Sequence, residues 1–417
     1  LIEPRALLLD MFKAAVGAAL PERCLPPFLP SPPRGRTLVV GAGKAAAAMA
    51  QAVERHWPAD APLFGLVVTR YEHGVGPLAR IEVVEASHPV PDEAGAVAAA
   101  RMLEMVQGLT PDDLVLCLMS GGASSLLSLP AAGIDLAAKQ AINRALLRSG
   151  AAIGDMNAVR KHLSSIKGGR LAEAASPAQL VTLMISDVPG DDPSVIGSGP
   201  TVPDTTTLAQ ARAVLDRFGI DVPESVAARL RDPSAETPKP DHPAFTHTRA
   251  VLVATPMAAL EAAVAVARQA GVVPILLGDD IEGEAVTVAQ DMARQAAAYA
   301  GERPCVFISG GETTVTVRGH GRGGRNAEFL LALAVALNGQ PGIHAIACDT
   351  DGIDGTERNA GALLSPDTLS RAQSLGVDAA ARLLDNDGYG FFETLDDLVI
   401  TGPTRTNVND FRAILLL

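Results

Sequence analysis

Short apolar runs that end in glycine alternate along this chain with Ala- and Leu-rich stretches of helical period. TLVVGAG (37–43) leads into KAAAAMAQAVERHW, and FGLVVTR (64–70) and IEVVEAS (81–87) precede EAGAVAAARMLEMVQGL. DLVLCLMSGG (113–122) and QLVTLMISDVPG (179–190) continue the series, with helical stretches between them. Unbroken apolar strands belong to sheets covered by helices on both faces. The pattern therefore predicts an α/β fold with mostly parallel strands. Such folds collect ligands at the carboxyl ends of their strands, and the excess of glycine and proline lies there.

A chain of 417 residues has room for two or three domains. RDPSAETPKPDHPAFTHT (231–248) is polar and carries Pro233, Pro238, Pro240 and Pro243, the strongest linker signal present. A second series follows it: RAVLVAT, VVPILLG, CVFISGG, TTVTVRG, HAIACDTDG and LVITGP. The predicted organisation is a Rossmann-like α/β domain over 1–238, a linker over 239–248 and a C-terminal α/β domain over 249–417. Pattern alone does not say where the apolar tail AILLL packs.

With 34 basic and 47 acidic residues, one Trp and three Tyr, the chain has neither the basic footprint nor the stacking platforms of a nucleic-acid binder. Its four cysteines form no C-x-x-C pair and read as small thiols in a reducing compartment. No uncharged apolar stretch is long enough for a membrane span, and LIEPRALLLDMFKAAVGAAL reads as an amphipathic helix rather than a signal peptide. A soluble cytoplasmic protein is expected, with no membrane or nucleic-acid partner.

Several strand-end loops carry chemistry. Gly41-Ala42-Gly43-Lys44 imitates a dinucleotide fingerprint, with glycines that allow an anion to approach a helix N-terminus. The next strand, however, ends in Arg70 and offers no acid for a ribose. Lys44 stands in a first helical turn, where a positive charge is unfavourable unless it faces a bound anion. Ser120-Gly121-Gly122-Ala123-Ser124-Ser125 offers N–H groups and hydroxyls that suit phosphate or carboxylate oxygens. Ser309-Gly310-Gly311-Glu312 echoes it in the second half. The loop ISDVPGDDPSVIGSGPTVPD (185–204) holds Asp187 at a strand end, and a long loop inside a compact domain is usually functional. Gly321 to Glu328 sets Arg322 and Arg325 among glycines, and Asp349-Thr350-Asp351 follows a strand as candidate Mg²⁺ ligands or proton acceptors. His88 reads as a loop-shaping residue.

Taken together, V-G-A-G-K-A-A (40–46), S-H-P-V-P-D (87–92), S-G-G-A-S-S-L (120–126) and N-x-V-R-K-H-L-S-x-I-K-G-G-R (157–170) resemble the glycerate 2-kinases of the MOFRL type, often named as hydroxypyruvate reductases. S-D-V-P-G-D-D with G-S-G-P-T-V-P-D, G-G-R-N-A-E-F-L-L-A (323–332), D-T-D-G-x-D-G and T-x-T-N-V-N-D (404–410) extend the resemblance over nearly the whole chain. The resemblance implies ATP- and Mg²⁺-dependent phosphorylation of D-glycerate at its 2-hydroxyl, in two α/β domains with the active site in the inter-domain cleft. It implies catalysis by Lys44 and Arg325, with Asp187 and Asp351 as unranked candidates for base and metal ligand. It also implies nucleotide or substrate binding by Gly41, Gly43, Ser120, Gly121, Gly122, Ser124, Ser125, Ser309, Gly310, Gly311, Glu312 and Asn407. The family often has Gln where Ala327 stands, so that side chain carries no expected role. A homodimer is allowed, and the oligomeric state stays open. Two other functions compete: an NAD(P)H-dependent hydroxypyruvate reductase, and a non-catalytic sugar-acid sensor on the same scaffold.

Overall fold

The computed structural model describes residues 2–417, which form two compact units. One is 24–253; the other joins 254–417 to the segment ending at Arg23. In the first unit β1 (Thr37–Ala42), β2 (Leu63–Arg70), β3 (Ile81–Ala86), β4 (Leu114–Met119), β5 (Gln179–Ile185) and β6 (Thr248–Ala254) form one sheet in the order β3-β2-β1-β4-β5-β6. The four pairings from β3 through β5 are parallel. Parallel neighbours need crossovers, and the helices Ala46–His56 and Glu93–Met105 supply two of them. Every residue of β1 and β4 is buried, which is why both read as unbroken apolar runs. Leu38, Val40, Leu66, Val115 and Met119 pack into the core under this sheet, each contributing about 1.5–3 kcal/mol by burial. The strand order reverses between β1 and β4, so the crevice at their carboxyl ends is the place where this topology binds ligands.

Between β4 and β5 the chain adds a helical layer with its own apolar core, including Ile142, Leu146, Val159 and Val214. Two expectations change at the far edge of the sheet. RAVLVAT does not open a second domain; it is β6, the edge strand of the first sheet, where Leu180 N–H donates to His247 O at 3.0 Å just before it. Nor is 239–248 a linker. Lys239 Nζ donates to Glu236 Oε1 and to Thr237 Oγ1, both at 2.8 Å, and Phe245 packs on the first core. Prolines here stiffen a packed segment, which composition cannot distinguish from a solvated one. The contact break falls at Val253/Ala254 instead.

The second unit contains β7 (Val273–Gly278), β8 (Gly283–Glu284), β9 (Cys305–Ser309), β10 (Thr313–Thr314), β11 (Ile343–Asp349), β12 (Gly361–Leu364), β13 (Leu398–Val399) and β14 (Asp410–Leu416). Its main sheet runs β13-β12-β11-β14-β9-β7, antiparallel except between β7 and β9. Mostly parallel pairing thus describes the first sheet and not the second. The apolar tail lies in β14, buried at every position between β11 and β9.

The N-terminal helix Pro4–Ala18 also belongs here and not to a 1–238 domain. Its Phe12 ring lies 5.9 Å from that of Phe411, Arg5 Nη1 meets Asp397 Oδ1 at 2.8 Å, and Thr406 Oγ1 donates to Ala19 O at 2.6 Å. Amphipathic pattern shows that a helix covers a core but not which core. The four cysteines are free thiols, three of them buried. No helix among the described residues is long and apolar enough to cross a membrane.

Candidate functional site

Both glycine-rich loops of the first unit leave adjacent strands at the switch point. They hold each other: Lys44 N–H donates to Gly121 O at 2.8 Å, Ser120 N–H to Ala42 O at 3.1 Å, and Ala45 N–H to Ser120 Oγ at 3.0 Å. A Cβ on Gly43 would stand 2.0 Å from Ser120 Oγ, and one on Gly41 2.0 Å from Leu118 O. These glycines therefore exist first for strand-to-strand packing, and Ser120, fully buried, is a clamp. Gly41, Gly43 and Ser120 hold Lys44 in place; the structure gives them no exposed face for a ligand. Gly122 has φ 82°, and a Cβ there would approach His88 Nε2 at 3.0 Å and Lys44 Cγ at 3.5 Å. So Lys44, Gly122 and His88 converge. The helix after Lys44 has no side-chain cap and no acid in its first turn, leaving its N-terminal N–H groups and dipole for an anion. His88 is thus nearer to this chemistry than its sequence context suggested.

Beside them opens a cavity of about 350 Å³, whose lining includes His88, Gly122, Ser124 and Ser125. Its basic residues are Lys139, Arg144, Arg160 and Lys167, and no carboxylate lines it among the described residues. Lys167 Nζ donates to Ser124 Oγ at 2.9 Å and to the Ser124 carbonyl, Arg160 Nε to Asn143 Oδ1 at 2.8 Å, and Lys139 Nζ to Leu129 O at 3.4 Å. Burial, and then Arg160, push the Lys139 ammonium down to about 7. Burial, then Lys139 and Arg160, hold Lys167 well below the usual lysine range, and burial lowers Arg160. Buried cations without counter-ions are costly, and an anion seated among them would remove the cost.

Lys167 is set by the long loop: Gly168 N–H donates to Ser198 O at 3.1 Å, Gly169 N–H to Gly199 O at 2.8 Å, and Ser124 Oγ lies 2.8 Å from Ser198 Oγ. Lys139, Arg160 and Lys167 were not among the predicted site residues. The only signal was the basic run NAVRKHLSSIKGGR, and charge runs usually mark a solvated face.

In the second unit Arg325 starts the helix Arg325–Leu337. It does not present a bare positive turn. Its Nε meets Asp410 Oδ1 at 2.9 Å, Nη2 meets Asp349 Oδ2 at 2.9 Å, and Nη1 meets Glu312 Oε1 at 2.8 Å. Burial opposes its charge, but Asp410, Asp349 and Glu312 outweigh that and raise its pKa. Asp354 accepts from the N–H groups of Asn326 at 2.9 Å and Ala327 at 2.8 Å, capping the helix from a distance. Burial pushes this carboxyl up to about 6. Ala327 itself is fully buried, consistent with no role for that side chain.

The remaining candidates divide. Ser124 and Ser125 line the cavity. Gly121 acts through its carbonyl on Lys44. Gly310 O accepts from Arg412 Nη1 at 2.9 Å, and Gly311, at φ 101°, would place a Cβ 2.2 Å from Ile281 O. This second Ser-Gly-Gly turn leads into β10, which pairs with β8, rather than into a helix. With Ser309 buried, the likeness of the two turns is one of sequence only. Asn407 is buried and its Oδ1 accepts from Asn409 N–H at 3.2 Å.

Asp351 is 2% exposed and its Oδ1 caps the Ile353 N–H at 2.9 Å, which suits it to shaping its loop and not to holding a metal. Asp187 is half-buried two residues beyond β5, whose parallel register against β4 brings it beside the Ser-Gly-Gly loop. Among the described residues no group of three His, Cys, Asp or Glu could hold a metal by itself. Mg²⁺ carried on nucleotide phosphates needs only one or two protein carboxylates, and Asp187 fits that requirement.

An α/β protein with a Rossmann-type strand order and basic, carboxylate-free loops at its switch point belongs to the class that handles small phosphorylated or carboxylated molecules. The chain is a member of the MOFRL family: residues 305–410 match the MOFRL model, and residues 7–231 match a domain of unknown function (DUF4147). It is 38% identical to the D-glycerate 2-kinase of Thermotoga maritima over 97% of each chain, and 56% identical to a protein of Agrobacterium vitis provisionally named hydroxypyruvate reductase, over 100% of this chain and 95% of that one. A crystal structure of glycerate kinase from Thermotoga maritima superposes with a TM-score of 0.89 at 37% identity, covering 99% of both chains.

Proposed function

We propose that this protein is a glycerate 2-kinase, moving the γ-phosphoryl group of ATP to the 2-hydroxyl of D-glycerate in the cytoplasm. The observation that carries the reading is the set of buried cations without counter-ions beside Lys44. Both substrates are anions, and phosphoryl transfer asks a protein chiefly for positioning and charge stabilisation. Lys44, anchored through its N–H to Gly121, stabilises charge on the transferring group. Asp187 is the carboxylate assigned to accept the 2-hydroxyl proton. Mg²⁺ would offset phosphate charge when bound, and Asp187 is also the residue here that would hold it. Arg325 is assigned to the same reaction through Nη1, whose partner Glu312 has a half-exposed side chain that an anionic substrate can displace.

The test is turnover of D-glycerate, ATP and Mg²⁺ followed by ³¹P NMR. A 2-phosphoglycerate resonance is expected. A 3-phosphoglycerate resonance would overturn the choice of hydroxyl, and the absence of any phosphorylated product would overturn the kinase. If both residues serve one reaction, Lys44→Ala with Arg325→Ala should lose less than the product of the single losses. The reductase name on relatives at 51–56% identity keeps a second reading. It is weakened by the end of β2 at Arg70, where a nicotinamide site wants an acid, and oxidation of NADH or NADPH by hydroxypyruvate would revive it.

A further inference from the structure

We infer that the cavity lined by Lys139, Arg160 and Lys167 is the nucleoside triphosphate site, with the phosphate chain on the three cations and the nucleoside against Ile142, Leu146 and Leu147. This assignment rests on the kinase reading and locates one of its two substrates. Three features of the cavity select this class of ligand over a three-carbon acid.

The first is size. A cavity of about 350 Å³ lies within the range of about 300–1,000 Å³ typical for drug-sized ligands, and a three-carbon acid would leave most of it wet. The second is the division of its lining. The cations cluster at the Ser124 side, where Lys167 Nζ reaches Ser124 Oγ at 2.9 Å, and the aliphatic side chains come from the helix Leu136–Ser149. Leu146 is fully buried while Leu147 is 57% exposed, so an apolar wall runs from the interior to the mouth. Only a ligand with a polyanionic end and a larger, weakly polar end satisfies both halves. The third is charge. A single carboxylate leaves most of the basic cluster uncompensated, whereas a triphosphate carries several negative charges in a row. Gly122 joins this cavity to Lys44, whose Cγ lies close to it, so the terminal phosphate would point toward the lysine assigned to the transferring group.

Binding of ATP, inorganic tripolyphosphate and D-glycerate to the full chain is measured by calorimetry, alongside steady-state turnover. Arg160→Gln should weaken ATP and tripolyphosphate alike by about tenfold or more, the loss of one charge-assisted contact. Leu147→Ser, at a half-exposed position that folding tolerates, should weaken ATP by about threefold or more and leave tripolyphosphate unchanged. The KM for D-glycerate should stay within twofold in both variants. Unchanged ATP affinity in both variants would overturn the assignment, as would losses confined to D-glycerate, which would give the cavity to the acid. The kinase reading fails separately: wild-type protein that binds ATP with this variant pattern but never forms a phosphorylated product keeps the nucleotide site and loses the reaction.

Discussion

Lys139 offers a measurable conflict between stability and binding. Its side chain is 9% exposed as a residue, its one hydrogen bond is a long 3.4 Å contact to Leu129 O, and Arg160 and Lys167 are its charged neighbours, with His88 and Arg144 also on the cavity lining. Burial, then Arg160, lower the ammonium from 10.5 to about 7. In the unfolded chain the lysine keeps its proton up to about pH 10.5, so the unfolded state binds more protons between about pH 7 and 10.5. Stability therefore rises with pH through that window, and the penalty is complete below about pH 7. At about 1.4 kcal/mol per tenfold, the full penalty is about 5 kcal/mol as an upper limit, falling to about 3 kcal/mol at pH 8.

Lys139→Met removes the charge and keeps the stem, so it should stabilise the ligand-free protein by about 2–4 kcal/mol at pH 6 and by progressively less toward pH 10. Urea unfolding of variant and wild type at pH 6, 8 and 10 measures this. Tripolyphosphate should reverse the ranking at pH 6 by stabilising wild type more strongly, because it supplies the missing counter-charge. An advantage that is independent of pH, or absent at pH 6, would refute the account of an unpaired buried cation.

Four further outcomes follow from other contacts. Glu236 opposes its own burial with bonds to Lys239, the Leu208 N–H, His162 and the Thr237 N–H, which hold its carboxyl down at about 2; stability from this group is present above about pH 4.5 and is lost as pH falls toward 2. Glu236→Gln should cost about 1–2 kcal/mol at pH 7, read by urea unfolding, and the cost should vanish below pH 3. Arg325→Ala leaves the buried carboxylates of Asp410 and Asp349 uncompensated and should destabilise by about 3–5 kcal/mol, so thermal unfolding must accompany its kinetics; Glu312→Gln, losing a half-exposed partner, should cost under about 1 kcal/mol. Gly43→Ala forces a Cβ to within 2.0 Å of Ser120 Oγ at φ 137° and should abolish turnover while Gly76→Ala, with open space around it, alters kcat less than twofold. Cys117, whose thiol burial pushes up to about 12, should resist alkylation by iodoacetamide at pH 8 until the protein unfolds, as mass spectrometry of the labelled peptide would show.

The first sheet was legible because both faces are covered, which leaves β1 and β4 no polar residue to blur the run. The second sheet was less so. Antiparallel β14 is as apolar as a parallel strand because it too is central, and its buried Arg412 and Asp410, paired at 2.6 Å, look in sequence like surface charges. The linker was misread for a related reason. Its prolines and polar residues are satisfied internally, by Lys239 with Glu236 and Thr237, and composition records polarity without recording partners.

The same blindness explains what was found and missed at the candidate site. Lys44 stood out because a helix N-terminus makes a lysine locally unfavourable, a conflict visible in four consecutive residues. Lys139, Arg160 and Lys167 carry a larger conflict, but it exists only after the helices Leu136–Ser149 and Ile153–His162 and the Gly168–Gly169 turn have folded around one cavity. Arg325 erred the other way: its glycine-rich surroundings suggested an anion-seeking turn, while Asp349 and Asp410, 24 and 85 residues further along, already occupy two of its three nitrogens. Local electrostatic misfit therefore points to a site from sequence when the compensating charge is meant to come from a ligand. It misleads when a distant part of the chain supplies that charge, and the unliganded carboxylate-free cavity is what distinguishes the two cases.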